Sequence, residues 1–369
     1  MTPIRDGRAF SSGSRRFAAL DGLPGVAFPA LVVLVSIAAG LMAYGYCASL
    51  PFRAVPPDDI GCIRVGFRYA AAPLELPSRY LGPNWIRIPG HISYALNAAI
   101  SGLDPRGWHR TNLILHLVNA LLLAWLVWVI TRNRVAVLVA GPAFAAWPSG
   151  RMAVEWVAAR HDLILATVFL ATFLLYALWR QRGIPVLYGA SVLACALMLV
   201  SKETGVALGF SLLLAEPLLF DPPIRRRAIL PFGLMVGAYA GFMVVHFGLF
   251  GSGVAPYLAH AGPRAAMIPR LLTALGALWS PWLVAAFPVV IACIICLRPR
   301  IGLWSLLTTA AVLALPAMLN RTDPIGGWHL YGPSVLVVLS LSCALLAHRH
   351  PPLQARPHQP QHREHHHRE

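Results

Sequence analysis

Charge is scarce in this sequence. Of 369 residues, 12% are charged, about half the proportion usual in soluble domains. Together with 57% apolar residues, that scarcity excludes the two or three soluble domains that length alone would allow. Lysine is nearly absent: among thirty basic residues it occurs once, at Lys202, and the other twenty-nine are arginine. Acids number only 14, against a net charge of +16. Such a balance could mark a nucleic-acid binder, but the arginines fall in short clusters between apolar stretches and build no contiguous basic face. Nucleic acid is therefore not an expected partner.

The six cysteines are too few and too scattered for a disulfide scaffold. Cys293 and Cys296 fall inside an apolar stretch with no further ligands near them in sequence. Cys47 and Cys62 flank an acidic pair, where an oxidising compartment would allow a disulfide.

What the chain does have is apolar runs, recurring from Pro24 to Ala347. Most approach the ~20 residues that a bilayer core demands. The clusters Arg5/Arg8/Arg15/Arg16, Arg132/Arg134, Arg180/Arg182, Arg225/Arg226/Arg227 and Arg298/Arg300, with the tail from Arg349, mark cytoplasmic loops. The expectation is an all-α integral membrane protein of about ten transmembrane helices, with both termini cytoplasmic. The spans run roughly 24–49, 111–130, 135–150, 163–179, 186–200, 204–220, 228–250, 276–297, 301–319 and 332–347, with 265–281 as a re-entrant or interfacial piece. Residues 1–23 form a basic leader, 24–347 the membrane domain and 348–369 a His- and Pro-rich cytoplasmic tail. The first apolar run exceeds the ~7–15 residues of a signal-peptide core and reads as a retained anchor.

On this topology the outer loops collect Asp58, Asp59, Glu75, Asp104, Glu155, Asp162, Glu203 and Asp323, eight of the fourteen acids. They also hold Arg87, Arg110, Arg151, Arg160, Lys202 and Arg321. Positive-inside sorting accounts for the inner arginines; it does not account for mixed charge outside. The first external loop, 51–110, opens on Pro56-Pro57-Asp58-Asp59. Adjacent carboxylates can bind a cation or act as a general base, although two prolines and two acids also make an ordinary solvated turn. His91 to Gly102 has the spacing of a short amphipathic helix, and Asn84 to Arg87 before it looks like an interfacial anchor.

Asn112, His116 and Asn119 stand at i, i+4 and i+7, on one helical face. Inside a membrane that stripe either lines a functional cavity or holds helices together. Arg160 lies between Glu155 and Asp162, as part of an ion-pair network or as a phosphate-binding fork. Lys202 beside Glu203 has the same two readings, a snorkelling cation with its counter-ion or a ligand contact. Trp108 and Trp147 at outer span ends, with Trp125, Trp128 and Trp179 at inner ones, fit interfacial belts.

Four of these stretches also share a pattern with a known family. Gly102 to His116 resembles the G-x-x-P-x-G-(Y/W)-H-x-x-N-L-x-x-H stretch of the multi-pass O-mannosyltransferases linked to TPR repeats. Pro148 to Asp162 resembles that family's H-P-x-x-x-E-x-V-x-x-x-x-x-R-x-D loop, with Trp147 in place of the histidine. Ser201-Lys202-Glu203 matches its S-K-E motif, and Leu330 to Ser334 is similar to R-x-L-Y-x-P-S, with Trp328 in place of the arginine. Asp58-Asp59 falls where the family carries an acidic pair.

The resemblance implies a GT-C-like bundle whose long first external loop carries short amphipathic helices, without the TPR region. It implies transfer of a sugar, mannose above all, from a polyprenyl-phosphate donor to an acceptor hydroxyl of a protein, lipid or glycan. The place would be the non-cytoplasmic face of a bacterial cytoplasmic membrane. Asp58, or else Asp59, would be the base of an inverting displacement, and the same pair could hold a divalent cation, Mg or Mn. Arg160 and Lys202, with Arg151 and Arg321 behind them, would stabilise the leaving phosphate. Glu155, Asp162 and Glu203 would hold those cations, with His109, Asn112 and His116 in support. A transporter or flippase of a lipid-linked glycan, or a non-catalytic glycan-binding relative, would use similar polar groups.

Overall fold

The structure is a computed structural model that describes residues 26–52, 58–73, 75, 87–148, 150–220, 226–250, 298–319 and 331–346. The eighth expected span, 276–297, lies outside them, as do the stretch 265–281, the leader, the tail, Arg321, Cys293 and Cys296.

Among the described residues every regular element is helical. In chain order they are α1 (Ala27–Tyr44), α2 (Asp58–Ala71), α3 (Ile88–Ser101), α4 (Pro105–Thr131), α5 (Arg134–Ala145), α6 (Gly150–Glu155), α7 (Arg160–Arg182), α8 (Pro185–Leu199), α9 (Gly205–Leu219), α10 (Arg226–Phe250), α11 (Pro299–Leu319) and α12 (Tyr331–Leu346). Turns of 3-10 helix at Gly45–Ser49 and Val157–Ala159 follow α1 and precede α7. Among the described residues four stretches are long and apolar enough to cross a membrane: Ala27–Ser49, Pro105–Thr131, Val157–Arg182 and Ala228–Val245. Arg134–Ala145, Pro185–Leu199 and Gly205–Leu219 are apolar but shorter. These apolar helices fit a membrane protein.

Local chemistry sets the helix ends. Asp104 caps α4 by accepting from Arg106 N (3.0 Å), with Pro105 at the first helical position. Asn133 caps α5 by accepting from Val135 N and Ala136 N at 2.8 and 3.1 Å. A cap of this kind contributes about 1 kcal/mol. At the other end of α7, Gly183 takes φ 68 and closes the helix onto Trp179 O.

The core sits between α4 and α7, flanked by α5 and α8, with α12 packed against α4, α5 and α7. Leu123, Leu126, Val127, Leu163, Leu170 and Phe173 are sealed within it. At the end of α7 that carries Arg180 and Arg182, a buried ionic contact ties α7 to α9. There Tyr176 donates to Glu216 (2.6 Å) and Arg180 lies 3.5 Å from the same carboxylate. At the opposite end, where α7 begins, α2, α3, α6 and the 200–204 loop converge.

Candidate active site

Arg160, the first residue of α7, is fully buried at this convergence. Its Nε donates to Asn112 Oδ1 (2.7 Å), one terminal nitrogen to Trp108 O (2.9 Å), and the other to Ser93 O and Oγ at 3.4 and 3.3 Å. The rings of Tyr94 and Trp108 lie 5.0 and 5.4 Å from its guanidinium carbon. Every guanidinium nitrogen thus has an acceptor. Asn112 in turn donates to Trp156 O (2.9 Å) and Ala153 O (3.3 Å), which holds the loop before Arg160 against α4. Asp59, near the start of α2, is also fully buried and accepts from Ala158 N at 3.2 Å. Asp58 is the first residue of that helix.

Two ion pairs stand beside the start of α7, where Arg87, Lys202 and Arg160 all act on His161. Lys202 Nζ donates to both oxygens of Asp162 at 2.7 Å, with both side chains nearly sealed from solvent. Arg87, the residue before α3, grips Glu203 with Nε at 3.2 Å and a terminal nitrogen at 2.9 and 3.0 Å. Ile88 N donates to Val200 O (3.0 Å), so the start of α3 is pinned to the 200–204 loop by backbone as well as charge. Burial alone would raise the Glu203 carboxyl, but Arg87 and Lys202 outweigh it and hold it below its ordinary value. Burial likewise works against the Arg87 cation, and the facing Glu203 more than restores it. At His91, burial, reinforced by Arg87, pushes the imidazole down to about 4.

The polar stripe of α4 is buried in full. His116 Nε2 faces Ala145 O (2.9 Å), which can only accept, so that nitrogen carries the proton and Nδ1 accepts from the Tyr331 hydroxyl at 2.8 Å. Asn119 donates to Tyr331 Oη (3.1 Å) and Leu163 O (3.0 Å) and accepts from Thr167 (2.7 Å). This network is satisfied throughout and ties α12 to α4, α5 and α7. Each such bond contributes roughly 1 kcal/mol inside a membrane. His109 reaches Pro51 O (3.3 Å) and holds the end of the first apolar segment.

Of the residues expected from sequence, Arg160, Asn112, Asp59, Lys202, Asp162 and Glu203 come together around the start of α7. Arg151 and Glu155 form a separate pair at 2.7 Å, in which Glu155 is buried and also accepts from Tyr46, while Arg151 is 68% exposed. Neither Glu155 nor Asp162 is the partner of Arg160, whose hydrogen bonds go to backbone carbonyls, Ser93 and an amide. Trp108 departs from the belt reading: it is fully buried beneath Arg160, because its indole N–H finds Gly102 O at 3.0 Å. Arg87, read as an interfacial anchor, is instead half of an ion pair whose other member lies 116 positions away. Cys47 and Cys62 are both thiols.

Among the described residues no three His, Cys, Asp or Glu side chains gather as they would around a metal ion. Asp58 and Asp59 supply two carboxylates, one already accepting from a backbone amide, and Mg is ordinarily held by one or two carboxylates with water and substrate phosphate.

The chain has relatives over part of its length. Over 122 residues the chain is 35% identical to the protein O-mannosyl-transferase Tmtc2 of Drosophila melanogaster, and 32% identical to Tmtc1 of the same organism. The matched segment is 31% of this chain and spans only 13% of each relative's length. The relationship is therefore mannosyltransferase-like and partial. No family profile and no solved structure matches the chain.

Proposed function

We propose that this protein is a membrane glycosyltransferase of the GT-C type. It would move a sugar, mannose in the first instance, from a polyprenyl-phosphate donor to an acceptor hydroxyl at the non-cytoplasmic face of a bacterial cytoplasmic membrane. The observation that carries the reading is the gathering of Lys202–Asp162, Arg87–Glu203 and Arg160 beside the start of α7, where α2 also docks. The partial likeness to proteins named as O-mannosyl-transferases supports it.

In this reading the acceptor hydroxyl gives its proton to Asp58 as its oxygen bonds the anomeric carbon. The bond from that carbon to the phosphate oxygen breaks with inversion, and polyprenyl phosphate departs with the electron pair. Asp59 is the less suitable base, since it is buried and accepts from Ala158 N. Lys202 has three N–H donors and gives two to Asp162, so it keeps one for the leaving phosphate. Arg160 gives four of its five N–H donors to the scaffold and acts by positioning α3, α4 and the loop between α6 and α7. Arg151 and Arg321 remain further candidates for the phosphate.

Asp58→Asn and Asp59→Asn, assayed for sugar transfer in membranes, test the acids. Loss of about 100-fold or more in Asp58→Asn is expected for removal of a general base. Undiminished transfer by both variants would remove the acids from the mechanism.

A further inference from the structure

Arg160, His161 and Asp162 present three ionisable side chains in a row, and the reaction proposed above uses only the outer two. His161 is 5% exposed. The rings of His91 and Tyr94 on α3 meet it edge-on, with centroids 5.5 and 5.3 Å away. Its Nδ1 and Cε1 lie so close to Gly90 that a Cβ there would overlap them. Nδ1 is buried and without a hydrogen-bond partner, and the contact with Gly90 leaves no room for one. With no acceptor at Nδ1, the neutral ring places its hydrogen on Nε2. Among the described residues nothing accepts that hydrogen.

Two further donors are left over nearby. Lys202 keeps one N–H beyond the two that Asp162 engages. Tyr239 of α10 brings a hydroxyl, buried and unpartnered, into the field of the Arg87–Glu203 pair. The cations that His161 feels are Arg87, Lys202 and Arg160. Of the acids at this junction, Asp162 and Glu203 are already held by Lys202 and Arg87, and Asp59 accepts from Ala158 N. Surplus donors beside cations, with the one bare ring nitrogen closed off by Gly90, call for an anion rich in acceptor oxygens. A phosphate ester is that anion at a membrane surface.

We propose that His161 is a phosphate-contacting residue, whose Nε2–H, with the remaining Lys202 N–H and the Tyr239 hydroxyl, receives the phosphate of a polyprenyl-phosphate ligand. The inference rests on the lipid-phosphate donor proposed above and adds two residues, His161 and Tyr239, to its site.

The test is binding of tritiated farnesyl phosphate to the full chain in phosphatidylcholine nanodiscs. Farnesol and inorganic phosphate serve as competitors. His161→Gln sets an amide N–H near the place of Nε2 and should bind within about threefold of wild type. His161→Phe keeps a ring for α3 to pack on but lacks the donor, and should bind at least about tenfold more weakly. Tyr239→Phe, which deletes only a hydroxyl, should weaken binding about fivefold. Competition by inorganic phosphate assigns the site to the headgroup; equal competition by farnesol assigns binding to the tail and overturns the proposal.

Binding by His161→Phe equal to wild type overturns it too, and sugar transfer that persists in that variant leaves the glycosyltransferase reading standing. Tight phosphate-dependent binding that needs His161, in a protein with no transfer activity, supports this inference and fails that reading.

Discussion

Lys202 Nζ sits 2.7 Å from both carboxylate oxygens of Asp162, forty positions earlier in the chain, and the two side chains are 5% and 9% exposed. Two charges so far from water are tolerable only as a pair. Removing one partner strands the other, at a cost of about 3–5 kcal/mol, whereas replacing both by apolar residues costs far less. Asp162→Asn should therefore lower unfolding stability in detergent by about that amount. The double variant Asp162→Leu with Lys202→Met should be more stable than the single one, yet inactive. Additive losses in thermal or denaturant melts would contradict the pairing.

Arg160 makes a different prediction. Its planar fork reaches a side-chain amide and backbone carbonyls between two aromatic rings, a geometry that lysine cannot copy. Arg160→Lys should cost about 2–3 kcal/mol of stability even with no substrate present, because it loses bonds made by a charged group. A variant as stable as wild type, with only its donor affinity reduced, would move Arg160 from the scaffold to the ligand.

Gly90 lets α3 close over His161, since any Cβ there would collide with the imidazole. Gly90→Ala should cost about 1–3 kcal/mol through overpacking and loosen α3. Hydrogen exchange across 88–101 should rise with the rest of the bundle unchanged. Unaltered exchange would mean that the ring moves aside freely.

Acidification should act in two separable windows. His91 ordinarily titrates near 6.5 and is pushed down to about 4 by burial and by Arg87; the rings of Tyr69, Tyr94 and His161 also face it. Between those values the unfolded chain binds the proton and the folded chain does not. Stability is therefore full above pH 6.5 and falls as pH drops toward 4. Glu203, held below its ordinary 4.5, adds a second loss that starts only below that value. Melting temperatures of wild type and His91→Gln from pH 7 to 4 should differ in slope over the first window. Identical slopes would contradict the burial of a neutral His91.

Helix positions were legible in part, because apolar runs and basic clusters are coarse signals. Nine of the expected spans overlap described helices, and the eighth lies outside the described residues. But α2 and α6 match no expected span, and only four of the described stretches are long enough to cross a membrane. Asn112, His116 and Asn119 could be placed on one face by spacing alone, and all three are buried. Their partners could not be read: Trp108 O, Trp156 O, Ala145 O and Leu163 O are backbone acceptors that any residue would supply. Arg87–Glu203 was hidden for another reason, since a pairing across 116 positions leaves no local pattern. The signal that could have flagged Arg87 is its place just before a Pro-started amphipathic helix. His161 stands inside the Arg–Asp motif at a position the motif leaves open, and only the packing of Gly90 against its ring singles it out.

At the Lys202 junction the proposed donor is a lipid-phosphate-linked sugar. The most direct measurement offers vesicles holding the full chain radiolabelled mannose on polyprenyl phosphate, and in parallel mannose activated by a nucleotide. Label should pass to membrane acceptors from the lipid-linked donor alone, and Lys202→Gln should lower the rate at least about tenfold through loss of charge stabilisation at the leaving phosphate. Transfer from the nucleotide sugar only, or from the lipid donor undiminished in Lys202→Gln, would contradict the account.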